Sequence, residues 1–198
     1  MGELQPMPKN RLEAFSDGVI AILITIMVLE LKVPHGADWH ALQPLLPVLV
    51  AYVLSFLYIA IYWNNHHHML HAAHRVNGPI LWANNHLLFW LSLVPFVTSW
   101  MGENHNAAFP TAAYGFVLIM AAVSYTILQS TILATLGKDS ELARAVGRDW
   151  KGKTSIGCYL AALGLAFVSP WLSYVLYLTV AVMWFIPDRR IEKHVHHA

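Results

Sequence analysis

Arg11-Leu12-Glu13-Ala14-Phe15-Ser16-Asp17-Gly18-Val19-Ile20-Ala21-Ile22-Leu23-Ile24-Thr25-Ile26-Met27-Val28-Leu29 reads as one almost wholly apolar helix with a Phe15-Ser16-Asp17 triplet one turn after a basic residue. At about 100° per residue, Gly18, Ile22, Thr25 and Leu29 fall on one narrow stripe. Their 4-3-4 spacing is the seam that helices use when they gather around a shared axis. Ser16 and Asp17 point well off that stripe. A membrane helix with a polar pair on one side and an apolar stripe on another predicts two kinds of neighbour: the rest of its own subunit, and its own copies.

The surrounding composition agrees with a membrane setting. Of 198 residues, 57% are hydrophobic and only 12% are charged, against about a quarter charged in soluble domains; the mean hydropathy is +0.50. The chain reads as an all-α, polytopic membrane protein with the lipid bilayer as its main partner. A net charge of +1 gives no argument for nucleic acid. One cysteine, Cys158, excludes an internal disulfide and a thiolate metal site within one subunit. Lys9 and Arg11 precede the first apolar run as a signal peptide's basic region would. Glu3, Glu13, Asp17 and the run-on into Glu30 and Lys32 do not suit cleavage, so the run reads as a retained span.

Apolar stretches near the roughly 20 residues needed to cross a bilayer lie at about 13–31, 45–64, 79–101 and 107–136. A last stretch, 154–187, is broken by Ser169-Pro170-Trp171 and divides into spans at about 154–169 and 171–187. Six transmembrane helices in one domain covering 1–198 are therefore expected. Pro95, deep in the third span, predicts a kink. With six spans, Lys9, Arg11, Arg75, Lys138, Arg144, Arg148, Lys151, Lys153, Arg189, Arg190 and Lys193 all fall on one side. Only Lys32 does not. That bias predicts both termini cytoplasmic. Trp39, Trp63, Trp82, Trp100, Trp150 and Trp184 stand at span ends, as an interfacial belt requires.

For the first helix two readings stand side by side. If copies surround an axis, Ile22, Thr25 and Leu29 become stacked rings that exclude water or strip an ion's shell, with Thr25 hydroxyls offering compensating oxygens. Otherwise the stripe is an ordinary packing seam, the commoner case for an apolar helix.

A resemblance bears on that choice. Arg11-x-x-x-Phe15-Ser16-Asp17-Gly18, followed by an Ile/Leu/Thr-rich span, resembles the first helix of the transmembrane protein 175 family. Tyr62-Trp63-x-x-His66-His67, Trp82-Ala83-Asn84-Asn85-His86, and Pro95-Phe96 with Thr98 and Trp100 are also similar to that family, so the likeness covers essentially the whole chain. It implies a cation channel, potassium-selective or weakly selective among monovalent cations, without a carbonyl filter. It implies a pore lined by the first helices, with Ile22 as the constriction, Thr25 as a hydroxyl layer linked to selectivity, and Leu29 beyond it. It implies a homotetramer for a single six-span unit, placed in the plasma (inner) membrane of a prokaryote. Potassium is the permeant species near Thr25, no cofactor or resident metal is expected, and the chain is not expected to be an enzyme. The family also has a polar network among its first three helices, for which Arg11, Phe15, Ser16, Asp17, His67, Asn85 and His86 are the candidates here. The rival reading is a proton-coupled transporter or proton-leak channel that uses Asp17 and the histidines.

The remaining polar features weigh less. His66, His67, His68, His71 and His74 are dense, and His67, His71 and His74 share a helical face. Imidazoles at i, i+4 can ligate transition metals. With one cluster and no His-Glu-x-x-His, a catalytic metal is not expected, and interfacial hydrogen bonding is the expected role. His194, His196 and His197 form a polar tail. Thr111-Ala112-Ala113-Tyr114-Gly115 looks like a potassium-filter signature but lacks the first glycine and opens a span, so it carries no filter. Glu30 stands at the outer end of the first helix, either as a field source for cations or as an interfacial charge.

Overall fold

In the computed structural model, the residues described are 9–73, 76–137, 140, 143 and 149–185, and the regular elements among them are all helical. We label them α1 Lys9–Leu29, α2 Trp39–Leu42, α3 Leu46–Ala72, α4 Gly78–Ser92, α5 Val94–Glu103, α6 Ala108–Leu136, α7 Trp150–Leu165 and α8 Pro170–Phe185. A 3-10 turn, Gln43–Leu45, joins α2 to α3. Four helical rods are long and apolar enough to cross a membrane: Lys9–Leu29, Trp39–Ala72, Gly78–Glu103 and Ala108–Leu136. Pro170–Phe185 is apolar but shorter. The basic residues Arg75, Lys138, Arg144, Arg148, Arg189, Arg190 and Lys193, with His74 and the tail histidines, lie outside the described residues.

Local chemistry sets the breaks. Asn77 caps α4, its side chain accepting the Ile80 amide at 3.0 Å, with Pro79 in the first turn where a missing N–H costs nothing. The predicted kink is a single-residue interruption at Leu93, between α4 and α5. Pro95 has no N–H to return to Leu91, so the ladder resumes only at the Val97 amide, which reaches Leu93 O at 3.2 Å. The split at Ser169-Pro170 is also present: α7 closes with the Ser169 amide on Leu165 O at 2.8 Å, and Pro170 opens α8. Asp149 caps α7 through the Gly152 amide at 2.9 Å. α6 ends where Gly137 turns to a φ of 85°, a conformation that disfavours side chains.

α1 lies against α3, α4 and α5; α6 packs on α4, α5 and α7; α8 rests on α7 and α3. The seam joining α3, α6 and α8 is built from tyrosines. Tyr58 donates to Tyr177 O at 2.6 Å, and Tyr177 donates to Thr111 O at 2.9 Å. The Tyr114 and Ser55 hydroxyls are 3.0 Å apart, and Thr98 reaches Ser55 at 2.7 Å. Thr111 to Gly115, the filter look-alike, therefore serves this seam. A Cβ at Gly115 would overlap the Tyr177 hydroxyl, so the close approach of α8 to α6 requires glycine there. Among the described residues, no buried side-chain nitrogen or oxygen lacks a hydrogen-bond partner. Trp39, Trp82, Trp100 and Trp150 are exposed near helix ends; Trp63 is exposed too but lies inside α3, which runs on to Ala72, and Trp184 turns inward and donates to Ser155 Oγ at 2.8 Å.

Candidate functional site

α1 buries Leu12, Ser16, Ile20, Leu23 and Met27. Spacings of 4, 4, 3 and 4 place them on one face, toward α3, α4 and α5. The single polar member of that face is fully engaged. His66 Nε2 lies 2.7 Å from Asn84 Oδ1, Asn84 Nδ2 donates to Ser16 Oγ at 3.0 Å, and Ser16 donates to Leu12 O at 2.8 Å. All three side chains are buried. Because Asn84 spends its amide N–H on Ser16, its oxygen faces His66, and His66 Nε2 must carry the proton it shares. The result is a directed chain from α3 through α4 into the backbone of α1.

Asp17, the next residue, is half-buried and accepts the Trp63 indole N–H at 2.9 Å, a second tie from α1 to α3. Ser16 and Asp17 thus point at different neighbours, as residues about 100° apart must.

The polar network expected from sequence is displaced by one position on two helices. His67 and Asn85 are exposed, and their neighbours His66 and Asn84 occupy the buried positions. A one-residue step on a helix rotates the side chain by more than a quarter turn, and paired His-His and Asn-Asn steps hide which member turns inward. The half-buried His86 is likewise outside the network and accepts the Trp90 indole N–H at 3.0 Å. Arg11 and Phe15 are exposed on α1, Phe15 at 57%.

Ile22, Thr25 and Leu29 lie on the opposite face of α1 and turn away from the subunit. Ile22 is 56% and Leu29 80% exposed, with Gly18 and Thr25 exposed between and beside them. Thr25 Oγ1 donates to Ile22 O at 2.8 Å. Its hydrogen is thereby committed to the helix, and its lone pairs remain available to an outside cation.

Beyond this stripe a groove opens between α1 and α5, lined by Leu23, Ile26, Glu30, Pro95, Phe96 and Ser99 among others. Ser99 Oγ is 3.4 Å from Glu30 Oε2, and Lys32 meets Glu103 at 2.7 Å across its rim. The Glu103 carboxylate, as hydrogen-bond acceptor and as charge, holds the exposed Lys32 ammonium above the usual lysine range. Among the described residues, no three His, Cys, Asp or Glu side chains converge as a metal site.

Residues 11–95 match the family described as endosomal/lysosomal potassium channel TMEM175. The chain is 54% identical over 187 residues to a potassium channel of a Chryseobacterium species, which covers 94% of this chain and 97% of the relative. It is 35% identical over 174 residues to a potassium channel of Streptomyces collinus, covering 81% and 83%. Its fold is similar to the crystal structure of a lysosomal potassium-selective channel TMEM175 homolog from Chamaesiphon minutus. The TM-score is 0.78 at 29% identity, over 90% of this chain and 96% of the other.

Proposed function

We propose that this chain, which belongs to the TMEM175 family, is a potassium channel that conducts passively and performs no bond chemistry. In this reading it is a six-span domain over 1–198 with both termini cytoplasmic, in the plasma membrane of a prokaryote. Four copies bring their α1 helices around a common axis.

The observation that carries the reading is the division of α1. Its polar groups near the Phe-Ser-Asp triplet are bound to α3 and α4, while Ile22, Thr25 and Leu29 are left outward as a continuous stripe. Copies of that stripe closing on an axis would stack rings of Ile22, Thr25 and Leu29, and cyclic symmetry makes every ring uniform. Apolar rings hold back water and force an ion to shed part of its shell. Thr25 oxygens, their hydrogens already turned to the Ile22 carbonyl, supply acceptors and no donors, which suits a dehydrated cation and repels an anion.

The proton-relay alternative finds less support. Asp17 is bonded to an indole N–H, which donates but does not pass a proton onward. The chain from His66 ends on a helix carbonyl. Purified protein in liposomes, assayed for potassium and sodium flux, tests the reading. Thr25→Val should change the potassium-to-sodium ratio more than Asp17→Asn does. An unchanged ratio in Thr25→Val, or uptake that saturates and requires a pH gradient, would remove the pore assignment.

A further inference from the structure

The histidines that follow Trp63 along α3 have no part in that reading. Trp63, His67 and His71 follow one another at i, i+4 and i+8, all exposed, with their rings stepped along the helix surface. The Trp63 and His67 centroids are 6.1 Å apart at 30°, and those of His67 and His71 are 6.3 Å apart at 21°. His68 meets His67 edge-on at 5.6 Å. The row runs beside a matching row on α1. Lys9 Nζ donates to His71 O at 2.8 Å at one end, and Asp17 holds Trp63 at the other. Glu13, between them in sequence, is 3.5 Å from Lys9. Among the described residues, the imidazoles of His67 and His71 make no hydrogen bond that would fix their nitrogens.

We propose that His67 and His71 form an open, two-imidazole chelate for a borderline first-row divalent cation, of which nickel is the convenient probe. The two Cβ atoms sit one turn apart on one face. Near-parallel rings need only side-chain rotation to bring one nitrogen from each toward a common point. Imidazole donors select such ions over magnesium or calcium. Among the described residues no third His, Cys, Asp or Glu converges there, so the site offers two protein donors and leaves the other positions to solvent. The Glu13 carboxylate offsets the Lys9 charge beside the site. The site stands independently of the channel reading.

The test uses full-length protein in detergent, with His194, His196 and His197 changed to alanine so that the tail does not compete, titrated with nickel by calorimetry. One nickel ion per chain is expected. His67→Ala and His71→Ala should each weaken binding at least about tenfold, and the double variant about as much as either single, because a chelate is lost once. His68→Ala should retain it. On unsubstituted protein, nickel should protect both His67 and His71 from carbethoxylation, mapped by mass spectrometry, a readout that needs no variant to fold. Absence of saturable binding, loss on substituting only one of the two histidines, or equal labelling with and without nickel would overturn the proposal.

Discussion

The two faces of α1 follow opposite rules. The inward face buries four apolar side chains and one serine, and that serine sits in a closed set of hydrogen bonds. The outward face is as greasy but exposed, and its one hydroxyl is bonded only to its own helix. In water such a contrast would be driven by burial of apolar area. In lipid that drive is absent, because hydrocarbon tails are as apolar as leucine, and association rests on packing and on polar ties. Ser16 and Asp17 therefore orient this helix more than its leucines and isoleucines do.

Four substitutions break or sharpen that contrast. Asn84→Leu should have the largest effect. It leaves His66 and Ser16 without their shared partner, at about 1–3 kcal/mol for each buried group stranded, read as a lower Tm in detergent. Gly115→Ala transfers the question to the tyrosine seam. The added methyl must displace a Tyr177 hydroxyl that is already committed to Thr111 O, for about 1–3 kcal/mol by the same assay. Ile22→Asn attacks the outward face and should leave Tm alone; if Ile22 is the proposed constriction, potassium flux should rise about tenfold as it wets. Flux unchanged by this substitution would place the stripe against lipid. Lys32→Ala should do least. The Glu103 pair is exposed, so Tm should not move measurably at any salt concentration.

Much of this architecture was legible in the chain itself. Run length located the long rods. Pro95 and Ser169-Pro170 announced their interruptions, because a missing N–H has the same local consequence in any setting. Helical period was enough to separate Ile22, Thr25 and Leu29 from Ser16 and Asp17. The inward partners were harder. His66 and His67, like Asn84 and Asn85, have the same chemistry, and only packing against α1 decides which is buried. The seam of Tyr58, Tyr114 and Tyr177 was not anticipated at all. In an apolar span a tyrosine counts as one more hydrophobic residue, and its hydroxyl's partner lies as many as 119 positions away, as Tyr58 and Tyr177 do. Hydroxyl-bearing residues at matching depth in separate spans were the available signal.

If α7 is a span, as the proposed six-span arrangement requires, it has a consequence for the surrounding lipid. Between its Asp149 cap and its closing turn it counts 16 residues, about 24 Å of helix at about 1.5 Å per residue, against an average hydrocarbon thickness of about 30 Å. In that arrangement, acyl chains touching the corner would shorten or splay to meet it, with the exposed Lys153 at its start reaching toward the headgroups. On that arrangement the molecule would be a gauge of bilayer thickness along one flank, better matched by short-chain phospholipids than by long ones.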